Sequence, residues 1–180
     1  MPRAVAFLRA INVGGRFVKM ERVRTLAEGA GLRGVSTYIQ SGNLLFDCSA
    51  RAAPRFEVEL EALWKQELGW EVATLVRTAK QLAALHAEGE TLAHGLKGKN
   101  VRHYVSLLRA EPSAEMAQTL HSWSYAKERT LVRGRELHFW CTIPSHEAKF
   151  TNARLERVLK SPATTRDWKT IAALQSLLRA

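Results

Sequence analysis

The chain has 180 residues, 46% hydrophobic and 24% charged, with 11 Gly and 5 Pro, which is the composition of a globular protein and excludes a disordered tail. Its longest stretch free of Asp, Glu, Lys and Arg, residues 34–46, is too short and too polar for a transmembrane helix, and the apolar run Ala4–Leu8 is too short for a signal-peptide core. Lys and Arg number 27 against 17 Asp and Glu, a formal charge of +10, and the excess lies in residues 91–180, which hold 15 basic and 7 acidic side chains. A surface of that sign favours polyanions, and equally serves solubility; no run of five like charges forms a basic tail. Cys48 and Cys141 are far apart and make no CxxC, so a reducing cytoplasm is expected and a zinc site is not.

Taken in order, Ala4–Arg9 reads as a buried first strand, and Asn12, Gly14 and Gly15 as a loop after it. Met20, Val23, Ala27 and Ala30 recur at helical spacing, and Gly29 and Gly31 supply the stop. Val35–Ile39 and Leu44–Phe46 are short strands about the polar turn Gln40, Ser41, Gly42, Asn43. Pro54 opens a second helix with Phe56, Leu60, Leu63, Trp64 and Leu68 on one face. Its acids Glu57, Glu59 and Glu61 read as a solvated flank. Glu71–Val76 is a fourth strand, and the order β, α, β, β, α, β is the ferredoxin-like arrangement.

Thr78 with Gln81 is a capping-box pattern for a short helix ending at His86. The polar, Gly-bearing stretch 88–100 is expected to connect a ferredoxin-like subdomain at 1–87 to a second α+β subdomain at 101–180. The order then repeats: Arg102–Arg109 as strand, Ser113–Trp123 as helix, Glu128–Arg133 and Glu136–Ile143 as a hairpin about Gly134, and Thr151–Leu159 as helix. Leu107, Leu108, Arg109, Ala110 echoes Phe7, Leu8, Arg9, Ala10 at the end of the matching strand. A helix from Arg166 to Arg179, with Trp168, Ile171, Leu174 and Leu178 as its apolar stripe, closes an α+β fold.

Three segments hold more chemistry than their flanks demand. Arg9, Asn12, Gly14, Gly15 and Arg16 form a glycine turn between a strand and a helix, where amides and a helix dipole can face an anion. The spacing is neither GxGxxG nor Walker A, and a plain backbone turn accounts for the glycines as well. Tyr38, Gln40, Ser41, Gly42 and Asn43 supply uncharged donors and acceptors for a sugar, base or amide, or else only a local turn. In Thr164, Thr165, Arg166, Asp167, Trp168, Lys169 and Thr170, Thr164 and Asp167 match a capping box. That leaves Arg166, Trp168 and Lys169 on a first helical turn to hold a phosphate or stack a base. The six His residues lack HxxxH and HExxH spacing, Ser41 lacks the GxSxG elbow, and no RNP1 run of an RNA-recognition sheet is present.

Arg9–Gly15 resembles the RGINVGG element of the uncharacterised bacterial DUF1697 family, Thr37–Phe46 its TYIQSGNVVF element, and Thr164–Thr170 its TTRNWNT element. The resemblance implies two ferredoxin-like parts and no established activity or cofactor. This chain departs from the family in having Ala10 in place of Gly and Asp167 and Lys169 in place of Asn. It also lacks the Gly-rich stretch, and the Ser before Lys149, that precede the penultimate helix.

The functional expectation is a cytoplasmic, non-membrane module for a nucleic acid or a phosphorylated small molecule. Arg9, Arg16, Arg166 and Lys169 would be its charge partners, with the three segments meeting around one cleft. The rival expectations are an enzyme on a small anionic metabolite, with Arg166 as clamp and Asp167 as acid or base, and a pocketless interaction scaffold.

Overall fold

The computed structural model describes residues 2–97 and 100–179, so Gly98 and Lys99 of the expected connection lie outside the described residues. In chain order the elements are β1 (Arg3–Leu8), α1 (Met20–Gly29), β2 (Ser36–Tyr38), β3 (Asn43–Asp47), α2 (Ala53–Leu68), β4 (Thr74–Thr78) and α3 (Ala79–Thr91). There follow β5 (Arg102–Leu108), α4 (Ala114–His121), β6 (Glu128–Arg133), β7 (Glu136–Cys141), α5 (Asn152–Leu159), β8 (Ala163–Asp167) and α6 (Trp168–Arg179). Two antiparallel sheets result, ordered β2-β3-β1-β4 and β6-β7-β5-β8. This is the ferredoxin-like order twice over, followed by a C-terminal helix. Two compact units, residues 1–84 with 173–180 and residues 85–172, divide within α3 and α6. Among the described residues no helix is long and apolar enough to cross a membrane.

In the first unit, alternation on β1 sends Ala4, Ala6 and Leu8 to one face, where they join Leu44 and Phe46 of β3, Val23 and Ala27 of α1 and Leu60 and Trp64 of α2 in one core. Gly69, with a φ of 81°, ends α2. In the second unit Leu137, Phe139 and Cys141 of β7 turn the same way, onto Leu120 of α4 and Leu155 of α5. Both units repeat one further contact: Leu8 N donates to Gly42 O and Leu108 N to Arg135 O, so each first strand ends against the turn of its own hairpin.

Four sequence expectations change. α3 runs to Thr91 rather than stopping at His86, since Thr78 and Gln81 cap its start as expected and nothing breaks it there. Residues 163–167 form a strand where none was read, and the last helix starts at Trp168 instead of Arg166. The acids of α2 are not simply solvated. Glu61 Oε1 accepts from Thr74 N and Glu57 Oε1 from Val76 N, both at 2.8 Å, along the open side of edge strand β4. Glu156 of α5 does the same for Ala163 N on edge strand β8, and His121 Nε2 for Val132 N on edge strand β6. Side chains thus occupy amides that would otherwise recruit a foreign strand.

Candidate functional site

The first unit brings two of the nominated segments together. Gly14 and Gly15, with φ of 60° and 84°, form the tip of a tight hairpin closed by the bridge between Val13 and Arg16. Its anchor is Asn12, whose Nδ2 donates to Gln40 O and whose Oδ1 accepts from Val18 N, each at 2.8 Å. The turn between β2 and β3 is tied in turn by Asn43, which is buried and donates to Tyr38 O and Ser41 Oγ. A side chain at Gly42 would strike Ile11 and Leu8, so the two loops are also packed hard together. Arg9 is half-buried and its amide donates to Ala73 O, while Arg16, Gln40 and Ser41 are exposed. Ile39 has a φ of 48°, an unusual conformation for a β-branched residue and one that costs about 1–3 kcal/mol.

The third segment differs from its reading. Arg166 lies on β8 opposite Val105 and is buried, its Nη1 donating to Thr164 Oγ1 and Thr165 O. Burial lowers its pKa to about 10, which leaves it charged at neutral pH. Thr165 donates to Asn152 Oδ1 at 2.6 Å and so accepts from Ser106 Oγ, also at 2.6 Å. Thr164 does not cap a helix. Asp167, exposed, accepts the amide of Lys169, and that side chain is exposed too.

Trp168 enters an aromatic column within the second unit. It stacks on His103 at 4.4 Å and on His86 at 5.1 Å, its Nε1 donates to Glu90 Oε1, and Gly89 leaves room for its ring. His103 also stacks on Trp140, its partner across β5 and β7, at 4.6 Å. His103 Nε2 and His138 Nδ1 lie 3.0 Å apart, one donating to the other, and His138 is fully buried with no partner at Nε2 among the described residues. Burial pushes His103 down to about 3, helped by His138 and His94, and His138 down to about 4, helped by Arg133. The pair is neutral at pH 7. Linear spacing hid it, because β5 and β7 carry its members; the signal was the period-two placement of His138 and Trp140. Among the described residues no group of three or more His, Cys, Asp or Glu could hold a metal ion.

A second cluster, missed by the motifs, surrounds Tyr125. Lys149 Nζ lies 4.3 Å from the centre of its ring, and both terminal nitrogens of Arg154 reach its Oη at 3.3 and 3.2 Å. The Arg154 guanidinium also stacks 3.9 Å over Trp123. Neighbouring amides are already taken: Lys149 N and Phe150 N donate to the two oxygens of buried Glu128. Both cations thus lie against aromatic rings. In the first unit an open groove of about 580 Å³ between the end of α1 and α2, lined by Leu32, Phe56, Leu60 and Leu63, contains none of the nominated residues.

Residues 1–138 match the model of a family described as a protein of unknown function, DUF1697. The chain belongs to the DUF1697 family. Among solved structures, that of the conserved bacterial protein SP0830 from Streptococcus pneumoniae is similar to this DUF1697 chain with a TM-score of 0.70, at 23% identity over 98% of both chains, which shows a shared fold. No curated protein matches the sequence.

Proposed function

We propose that this DUF1697 protein is a cytoplasmic binding module for a phosphate-bearing ligand, nucleic acid included. The observation that carries the reading is the pair Lys149 and Arg154, both set against Tyr125, the first over its ring and the second on its hydroxyl. A guanidinium with its plane fixed on Trp123 offers a positive charge of set position, and a nearby ammonium adds a second. Net charge favours the same class of ligand, and both cysteines are free, as a reducing compartment would keep them. Arg166, engaged inside β8, is better suited to holding the strand than to clamping a ligand. An enzymatic role for Asp167 finds no closed apolar surround, since that carboxylate is exposed.

The test is a titration of a fluorescein-labelled 12-nucleotide single strand, with pyrophosphate as competitor, at low and at physiological salt. Binding is expected to weaken steeply with salt. The Lys149→Gln/Arg154→Gln chain, checked by circular dichroism to be folded at the assay temperature, should bind at least about 10-fold more weakly, because charge-assisted hydrogen bonds are worth roughly 1.5–3 kcal/mol each. Absence of binding at low salt, or equal binding by the double variant, refutes the proposal.

A further inference from the structure

We propose that the knot around Asn12 in the first unit is a docking surface for another protein, taking an acidic segment with apolar anchor side chains. One carboxamide ties three pieces of backbone: its own, that of Val18 and that of Gln40. The residue next to each of these points is a large apolar side chain left in water. Val13 is 55% exposed, Phe17 71% and Ile39 49%, three of the five exposed large hydrophobics among the described residues. Isolated exposed apolar side chains need no explanation, but three gathered on one hydrogen-bonded junction form a patch of the kind that binds.

Two further features separate the patch from accidental exposure. Ile39 projects from left-handed backbone, where Gly or Asn would relieve the strain, and the fold keeps an aliphatic side chain there regardless. Residues 9–19 and 36–43 contain Arg9, Arg16 and Lys19 and no acidic residue. Arg16 and Lys19 are exposed on either side of Phe17. An apolar centre edged by cations complements a polypeptide that presents apolar anchors among Asp and Glu. Aliphatic Val13 and Ile39 offer no flat face to a base. The fixed spacing set by Asn12 suits side-chain anchors better than fluid acyl chains.

The inference stands apart from the phosphate reading, which rests on other residues in the other unit. It is tested by panning a phage-displayed random 12-residue peptide library on the immobilised full chain and titrating the enriched peptides as synthetic probes. Enriched peptides should combine Asp or Glu with Leu, Ile, Phe or Trp. Their affinity should fall at least about 10-fold both in Phe17→Ser/Ile39→Asn and in Arg16→Glu/Lys19→Glu. The first of these variants should melt no lower than the natural chain, since it removes exposed side chains and relieves left-handed strain, so loss of binding cannot be loss of fold. Enrichment without an acidic and apolar consensus, or peptide binding indifferent to both variants, overturns the proposal. So does a 12-residue thymidine strand, or a vesicle containing phosphatidylglycerol, whose binding these variants abolish while peptide binding persists.

Discussion

Ala10 occupies left-handed backbone at a φ of 52°. For an L-residue that conformation costs about 1–2 kcal/mol, against a smaller entropic cost of Gly in the unfolded chain. Ala10→Gly should therefore stabilise the protein by about 0.5–1 kcal/mol, read as a higher urea midpoint at unchanged slope. No gain would mean that the loop relaxes around Ala. Local chemistry was readable at this scale wherever backbone geometry decides it: Gly14 with Gly15, and Gly42 beside Asn43, are turns in the structure as in the sequence. Arg166 was not readable. Whether a guanidinium meets water or lies inside depends on what covers its strand, and no neighbouring residue states that.

At the scale of elements, periodicity located helices well because their core faces repeat along one segment. It failed at β8, whose Ala163, Thr164, Thr165, Arg166 and Asp167 show no apolar alternation. That strand is held by pairing to β5 and by the Ser106, Thr165 and Asn152 side chains. The carboxylates of Glu57, Glu61 and Glu156 belong to this scale as well. Glu57→Ala/Glu61→Ala frees two amides on edge strand β4, and the expected result is a loss of about 1–3 kcal/mol with concentration-dependent association, measured by urea titration and light scattering. A double variant that stays monomeric and as stable as the natural chain would show that the two carboxylates are dispensable.

For the molecule as a whole, the neutral pair His103 and His138 links stability to pH. Their folded pKa values, about 3 and about 4, lie below the ordinary 6.5, so the unfolded chain takes up protons first as pH falls. Their contribution is fully present above about pH 6.5, declines as pH falls below it, and levels off near pH 3. Urea midpoints at pH 7, 5.5 and 4.5 should fall more steeply for the natural chain than for His138→Phe, which keeps a ring beside Trp140 and removes one of the two titrating groups. Parallel slopes in the two chains would mean that the acid sensitivity arises elsewhere.

The amino-acid order by itself determined the α+β class, the two ferredoxin-like rounds, the turns and the family, because hydrophobic period, glycine placement and motif spacing are local properties of a chain. Only the tertiary structure decided which charged groups are enclosed and which lie against aromatic rings. Burial enclosed Arg166, Glu128 and His138, which His103 meets across the sheet, while Tyr125 and Trp123, more than twenty residues earlier in the chain, came to lie against Lys149 and Arg154. The physical reason is desolvation: a charge or an imidazole changes its behaviour with the groups packed around it, and those groups are brought together by strand pairing rather than by sequence proximity.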